Sequence, residues 1–137
     1  MSESMTDSMS TPLLRRALVL DGAASGGMAA LLVLGASPLS EAFGLPEGFL
    51  RGVGLLLVPW VALLVWAVTR PQLARGVGVG IVVSNLAWVG ASAWILLGGV
   101  VSPTTLGTSF VVMQAVAVAI FADLQWMGLR PPRRATA

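Results

Sequence analysis

Residues 13–34, LLRRALVLDGAASGGMAALLVL, decide the fold: an apolar run interrupted by one carboxylate, Asp21, with Gly22, Gly26, Gly27 and Ala30 close behind it. At 1.5 Å of rise per helical residue the run reaches ~33 Å, enough to cross the ~30 Å of hydrocarbon in a bilayer. Three more apolar stretches of comparable length follow, at about 50–69, 72–98 and 109–128. The expected fold is therefore all-α and polytopic, with four transmembrane helices (13–36, 50–69, 72–98 and 109–128) in an antiparallel bundle. This bundle forms a single domain over 13–129. A polar tail, MSESMTDSMSTP at 1–12, precedes it and reads as disordered; a basic tail at 130–137 closes the chain.

Composition points the same way. Hydrophobic residues make up 56% of the 137 and charged residues 10%, against roughly 25% charge in ordinary globular domains. The mean hydropathy is +0.88. The high isoelectric point, about 11.2, is no nucleic-acid signal. It arises from eight arginines against six acids with no histidine, and the arginines flank the apolar runs. Cysteine, histidine, lysine and tyrosine are all absent. That removes disulfides, thiolate and imidazole metal ligands, Schiff-base chemistry and the usual acid–base groups near neutral pH. Neither an enzyme active site, a metal site nor a cofactor site is expected, and the Gly76-Val-Gly-Val-Gly pattern inside an apolar run is no phosphate loop.

The breaks in the apolar pattern place the connections. The first helix is expected to stop at Ser37-Pro38, with Leu39–Leu45 as a short interfacial helix. The second ends before Pro71, which cannot continue it. Pro71 suits the first turn of the third helix, so the Arg70–Arg75 turn reads as tight and the second and third spans as neighbours. Thr104 or Thr105 is the expected N-cap of the fourth helix. Arginine counting orients the bundle. With the N-terminus inside, the inner face receives Arg15, Arg16, Arg70, Arg75, Arg130, Arg133 and Arg134, and the outer face only Arg51, beside Glu41 and Glu47. Both termini are thus expected in the cytoplasm, in a bacterial cytoplasmic (inner) membrane. A cleaved leader is disfavoured, because the first run is too long and carries Asp21.

Three sets of residues stand out as sites. The first is Asp21 with Asp123, two carboxylates at similar depth near the inner face. Such groups face protein or water rather than lipid. Arg15 and Arg16 lie ~120° and ~140° from Asp21 around its helix, so Arg75 or Arg70 from another helix is the expected salt-bridge partner. The other reading is a proton or cation site formed by Asp21 and Asp123 together. The second set is Pro59, Trp60, Asn85, Trp88 and Gln114. These can line a mid-membrane pocket for an apolar ligand with one polar group, or form a self-satisfied core in which Asn85 and an indole N–H bond each other or the Leu55 carbonyl freed by Pro59. Gln114 and Gln125, eleven residues apart, share a face of the fourth helix from which Asp123 points away.

The third set is a packing face of small residues, Gly22, Gly26 and Ala30 on the first helix and Gly76, Gly80 and Ser84 on the third. Small residues let helix backbones approach closely in lipid. An intramolecular contact of the first helix with the third or fourth is expected over a homodimer seam. Arg51 is read as snorkelling or as a partner of Glu47.

The stretches LVLDGA (18–23), GLPEGFLRG (44–52), SNLAW (84–88), SPTTLGT (102–108), VVMQA (111–115) and LQWMGLR (124–130) resemble a set of bacterial four-helix integral membrane proteins of about this length. The resemblance spans all four helices and implies a fold without an activity. Small multidrug-resistance transporters, which also carry one acid on the first helix, are similar in helix count only: this chain is longer, and its acid is an Asp displaced toward the inner side. Two functions follow as expectations. One is a non-enzymatic helix-packing component of the membrane, with lipid, a second copy or a larger membrane complex as partner. The other is a small proton- or cation-coupled carrier, or a hydrophobic-ligand binder.

Overall fold

The computed structural model describes residues 11–130; positions 1–10 of the expected polar tail and 131–137 of the basic tail lie outside the described residues. Among the described residues the chain is all-helical. Its five helices are α1 (Pro12–Leu34), α2 (Ala36–Phe43), α3 (Glu47–Thr69), α4 (Arg75–Leu97) and α5 (Thr105–Leu129). All but α2 are long and apolar enough to cross a membrane. They are apolar on every side: Leu20, Leu55, Leu86 and Val116 all face outward. A helix with no polar face is either a core helix or a membrane span, and this chain is too short to surround four core helices.

Local chemistry sets the helix ends. Thr11 caps α1, its Oγ1 accepting from the Leu14 amide at 3.1 Å, and Pro12 fills the first turn, where its missing N–H is harmless. The last two residues of the expected tail are therefore the cap and the first residue of the first helix. Gly35, not Ser37-Pro38, ends α1. A Cβ there would lie 2.8 Å from the Leu31 carbonyl oxygen, and α2 starts at the next residue with Pro38 in its first turn. Gly44 ends α2 at φ 65, the left-handed conformation that glycine adopts without strain. Thr104 is the cap of α5, its hydroxyl accepting from the Gly107 amide at 3.1 Å.

Two groups of contacts join the helix ends. At one end the Thr11 hydroxyl donates to the Gly128 carbonyl at 2.8 Å, Arg75 Nη1 to the Leu129 carbonyl at 2.6 Å, and Arg15 Nη2 to the Arg70 carbonyl at 3.3 Å. At the other the Thr104 amide donates to the Phe43 carbonyl at 2.9 Å and its hydroxyl to the Ala42 carbonyl at 2.7 Å. Phe43 and Phe110 stack there with centroids 4.6 Å apart.

Lateral packing departs from expectation in one respect that governs the site. α1 lies against α3 and α5, α4 lies against α5, and α2 folds onto α3 and α5. α3 and α4, consecutive in sequence, make no close backbone approach. The connector between them is not a tight turn. Arg70 and Ala74 are extended, with ψ 130 and 133, and Pro71 precedes α4 rather than entering it. Leu73 is buried in the cluster formed by Leu14, Leu18, Leu64 and Leu129, so the connector is pinned under the bundle and holds the two helices apart. Two apolar clusters result. The first also includes Ala67, Ile81, Val82 and Ala122; the second gathers Ala29, Leu32, Phe43, Leu50, Leu57 and Val111. Trp60 packs against both.

Candidate functional site

Between α3 and α4 lies a cleft of about 480 Å³, within the range of small-molecule sites. Its walls come from four helices: Ser25 and Met28 on α1, Pro59 and Trp60 on α3, Asn85 and Trp88 on α4, and Gln114 and Phe121 on α5. It exists because α3 and α4 do not close on each other. Trp60 and Asn85 are near the middle of their helices, so the cleft sits at mid-depth. Pro59 lies in its wall without breaking α3, although it has no N–H to offer the Leu55 carbonyl. The structure brings the five residues of the second candidate set, Pro59, Trp60, Asn85, Trp88 and Gln114, into this one lining.

Two polar nodes hold the cleft's inner wall. In the first, Asp21 (1% exposed) reaches across from α1. Its Oδ2 accepts from Asn85 Nδ2 at 2.8 Å and Gln125 Nε2 at 2.7 Å, and its Oδ1 contacts the Ser25 hydroxyl at 3.1 Å. Asn85 Nδ2 also donates to Gln125 Oε1 at 2.9 Å. Asn85 and Gln125 are 4% and 0% exposed. An unpaired group there would cost roughly 1–3 kcal/mol, so the triad locks α1, α4 and α5 into register.

In the second node the Trp88 indole N–H donates to Gln114 Oε1 at 2.8 Å. Gln114 Nε2 donates to Ser92 Oγ and to the Val111 carbonyl, both at 2.9 Å. The expected bond between Asn85 and an indole does not form. Each residue instead finds a glutamine of α5, because Gln114 and Gln125 present one face to α4.

The expected salt bridge of Asp21 is also corrected. Among the described residues the one ion pair is Arg51–Glu47, at 2.9 Å on the exposed side of α3. Arg75 is turned to the carbonyl of Leu129 and Arg70 lies over the Trp66 ring, 4.8 Å from its centroid. Cations at helix C-termini satisfy carbonyls that have no helical partner, and that geometry carries these arginines away from Asp21. Nor do Asp21 and Asp123 meet. Asp123 is exposed while its neighbour Ala122 is buried, so a shared two-carboxylate site is not formed.

The small-residue face divides. Gly22 and Gly26 do pack internally, yet against Leu64 and Val61 of α3 at 3.7 and 3.9 Å, not against α4 or α5. Ala30, Gly76, Gly80 and Ser84 are exposed, and nothing lies within 4 Å of a Cβ built on Gly76 or Gly80. The close approaches are elsewhere. A Cβ at Gly128 would lie 2.7 Å from the Leu14 backbone nitrogen, one at Gly54 3.1 Å from the Ala29 carbonyl, and Gly107 abuts the Phe43 carbonyl.

Three polar residues of the site escaped the sequence reading as site residues: Gln125, Ser25 and Ser92. Ser25 and Ser92 were legible by spacing, each four residues after a site residue (Asp21 and Trp88) and so on the same helix face.

Comparison with protein families, with curated proteins and with solved structures returns no match for this chain. What the chain does is therefore argued from the cleft.

Proposed function

We propose that this is a non-enzymatic multi-pass protein of a bacterial cytoplasmic membrane that binds a small apolar ligand, admitted from the lipid between α3 and α4. In this reading the four spans alternate in direction and both termini are cytoplasmic. The grouping of Arg15, Arg70, Arg75 and Arg130 at the end where α1 begins and α5 finishes supports that orientation. The observation that carries the function is the cleft itself. Lipid-facing helices joined by a short connector gain packing by closing on each other, and here a pinned connector and two satisfied polar nodes hold them open.

The test uses the full-length protein purified in mild detergent. Native mass spectrometry and analysis of a solvent extract are expected to show one retained apolar species near one per chain. Ala117→Phe, which fills the cleft from α5, is expected to lose it while melting like wild type. Identical lipid content in the two proteins, matching the bulk membrane, overturns the proposal.

A second reading, a helix-packing component that associates with itself or a larger membrane complex, is favoured by one observation. Gly76, Gly80, Val83, Ala87 and Gly90 are all exposed on α4, at the alternating four- and three-residue spacing of a helix–helix seam. The same mass measurement reads it. A dimer dispersed by Gly80→Leu supports it, and a monomer at all protein-to-detergent ratios overturns it.

A further inference from the structure

The buried polar side chains of the cleft narrow the ligand's head group. Asp21 Oδ2 accepts from the –NH2 groups of both Asn85 and Gln125. Asn85 Nδ2 then has both protons engaged, on Asp21 and on Gln125 Oε1. Asn85 Oδ1 is left as an acceptor with no partner among the described residues, on a side chain that is 4% exposed and lines the cleft. Among the described residues no buried side-chain N or O lacks a partner, so this oxygen is not sealed in protein, and its residue lines the cleft.

The other polar linings have their protons engaged. The Ser84 hydroxyl donates to the Gly80 carbonyl at 2.8 Å and the Trp88 N–H to Gln114. Gln114 Nε2 has both protons placed, and Ser25 is held on Asp21. One exception remains, on the opposite wall. The indole N–H of Trp60 has no acceptor among the described residues and is likewise not sealed in protein. The lining thus holds an amide oxygen, Asn85 Oδ1, without a donor and an indole N–H, that of Trp60, without an acceptor, both at mid-depth, where hydrocarbon serves neither.

We propose that the ligand is a neutral lipophilic alcohol, its single hydroxyl donating to Asn85 Oδ1 and accepting from Trp60 Nε1–H. This rests on the cleft being a ligand site. A hydroxyl is the smallest group that donates and accepts at once. An ether or hydrocarbon leaves Asn85 unanswered. An ammonium has three donors and no acceptor for the indole, and the charge it would seek, Asp21, is not in the lining.

The experiment is a binding series on the full-length protein in phosphatidylcholine nanodiscs, read by tryptophan fluorescence. The probes are 1-dodecanol, its methyl ether and dodecylammonium, on wild type, Trp60→Phe and Ala117→Phe. The alcohol is expected to bind about five- to tenfold more tightly than the ether, the effect of one hydrogen bond. Trp60→Phe, which removes the indole N–H together with the pyrrole part of the ring, is expected to lower alcohol affinity about threefold more than it lowers ether affinity.

Equal affinity for alcohol and ether, with Ala117→Phe weakening both, overturns the hydroxyl assignment while the cleft stands. Dodecylammonium binding most tightly overturns it in favour of charge recognition. Binding of every probe unaffected by Ala117→Phe overturns the cleft reading itself.

Discussion

The two flanks of this bundle use similar residues to opposite ends. Where α1 meets α5 and α3, glycines let backbone approach backbone. Gly128 sits against the Leu14 main chain and Gly54 against the Ala29 carbonyl, and Gly22 and Gly26 receive Leu64 and Val61. Where α3 faces α4, glycines are just as available, at Gly76 and Gly80, yet they point outward and the space between the helices stays open. Small residues permit close packing and do not cause it. The partner is chosen by the connector geometry and by the polar groups that must be answered in a medium without water.

That contrast can be broken from the closed side with the largest effect. Gly128→Leu drives a side chain into the Leu14 backbone, which cannot rotate away. We expect a loss of about 3 kcal/mol or more, at the upper end of overpacking costs, measured by reversible unfolding in mixed micelles. A variant within about 0.5 kcal/mol of wild type, the usual range for neutral surface changes, would show that the α1–α5 approach is not what holds this flank.

The Asp21 node comes next. Asp21→Ala strands Asn85 and Gln125 and is expected to cost about 2–3 kcal/mol. Asp21→Asn keeps an acceptor oxygen for the two amides and is expected to cost less than half as much. If the two variants unfold alike, charge rather than hydrogen bonding sets the node's contribution.

Smaller again is the second node. Gln114→Leu leaves the Trp88 N–H without its acceptor in a partly exposed setting, with about 1 kcal/mol lost and a shift in tryptophan emission as the readout. An unchanged spectrum and stability would detach this node from the cleft wall. The smallest effect belongs to Arg51→Ala. It breaks the one described ion pair, an exposed i,i+4 contact on α3, and is expected to change stability by at most about 0.5 kcal/mol. A larger loss would assign Arg51 a contact beyond Glu47.

Much of this was legible in the residues. Length and apolarity alone mark four spans, since ~20 apolar residues have few other stable fates. The helix ends at Thr69 and Thr104 follow from proline and capping chemistry. The Arg51–Glu47 pair follows from i,i+4 spacing. The five residues that line the cleft were grouped because polar and bulky groups at mid-depth need company.

What only the tertiary structure decided is which groups meet. The sequence assigns Asp21, Asn85, Gln114, Gln125, Trp60 and Trp88 each a depth in its helix, and depth is all that helical rise reports. Rotation about each helix axis and the order of helices around the bundle depend on every contact at once. Leu73 under the connector, and the choice of Arg75 for the Leu129 carbonyl over Asp21, are outcomes of that joint packing. The periodicity of one segment carries no trace of them, because each is a preference between partners on different helices.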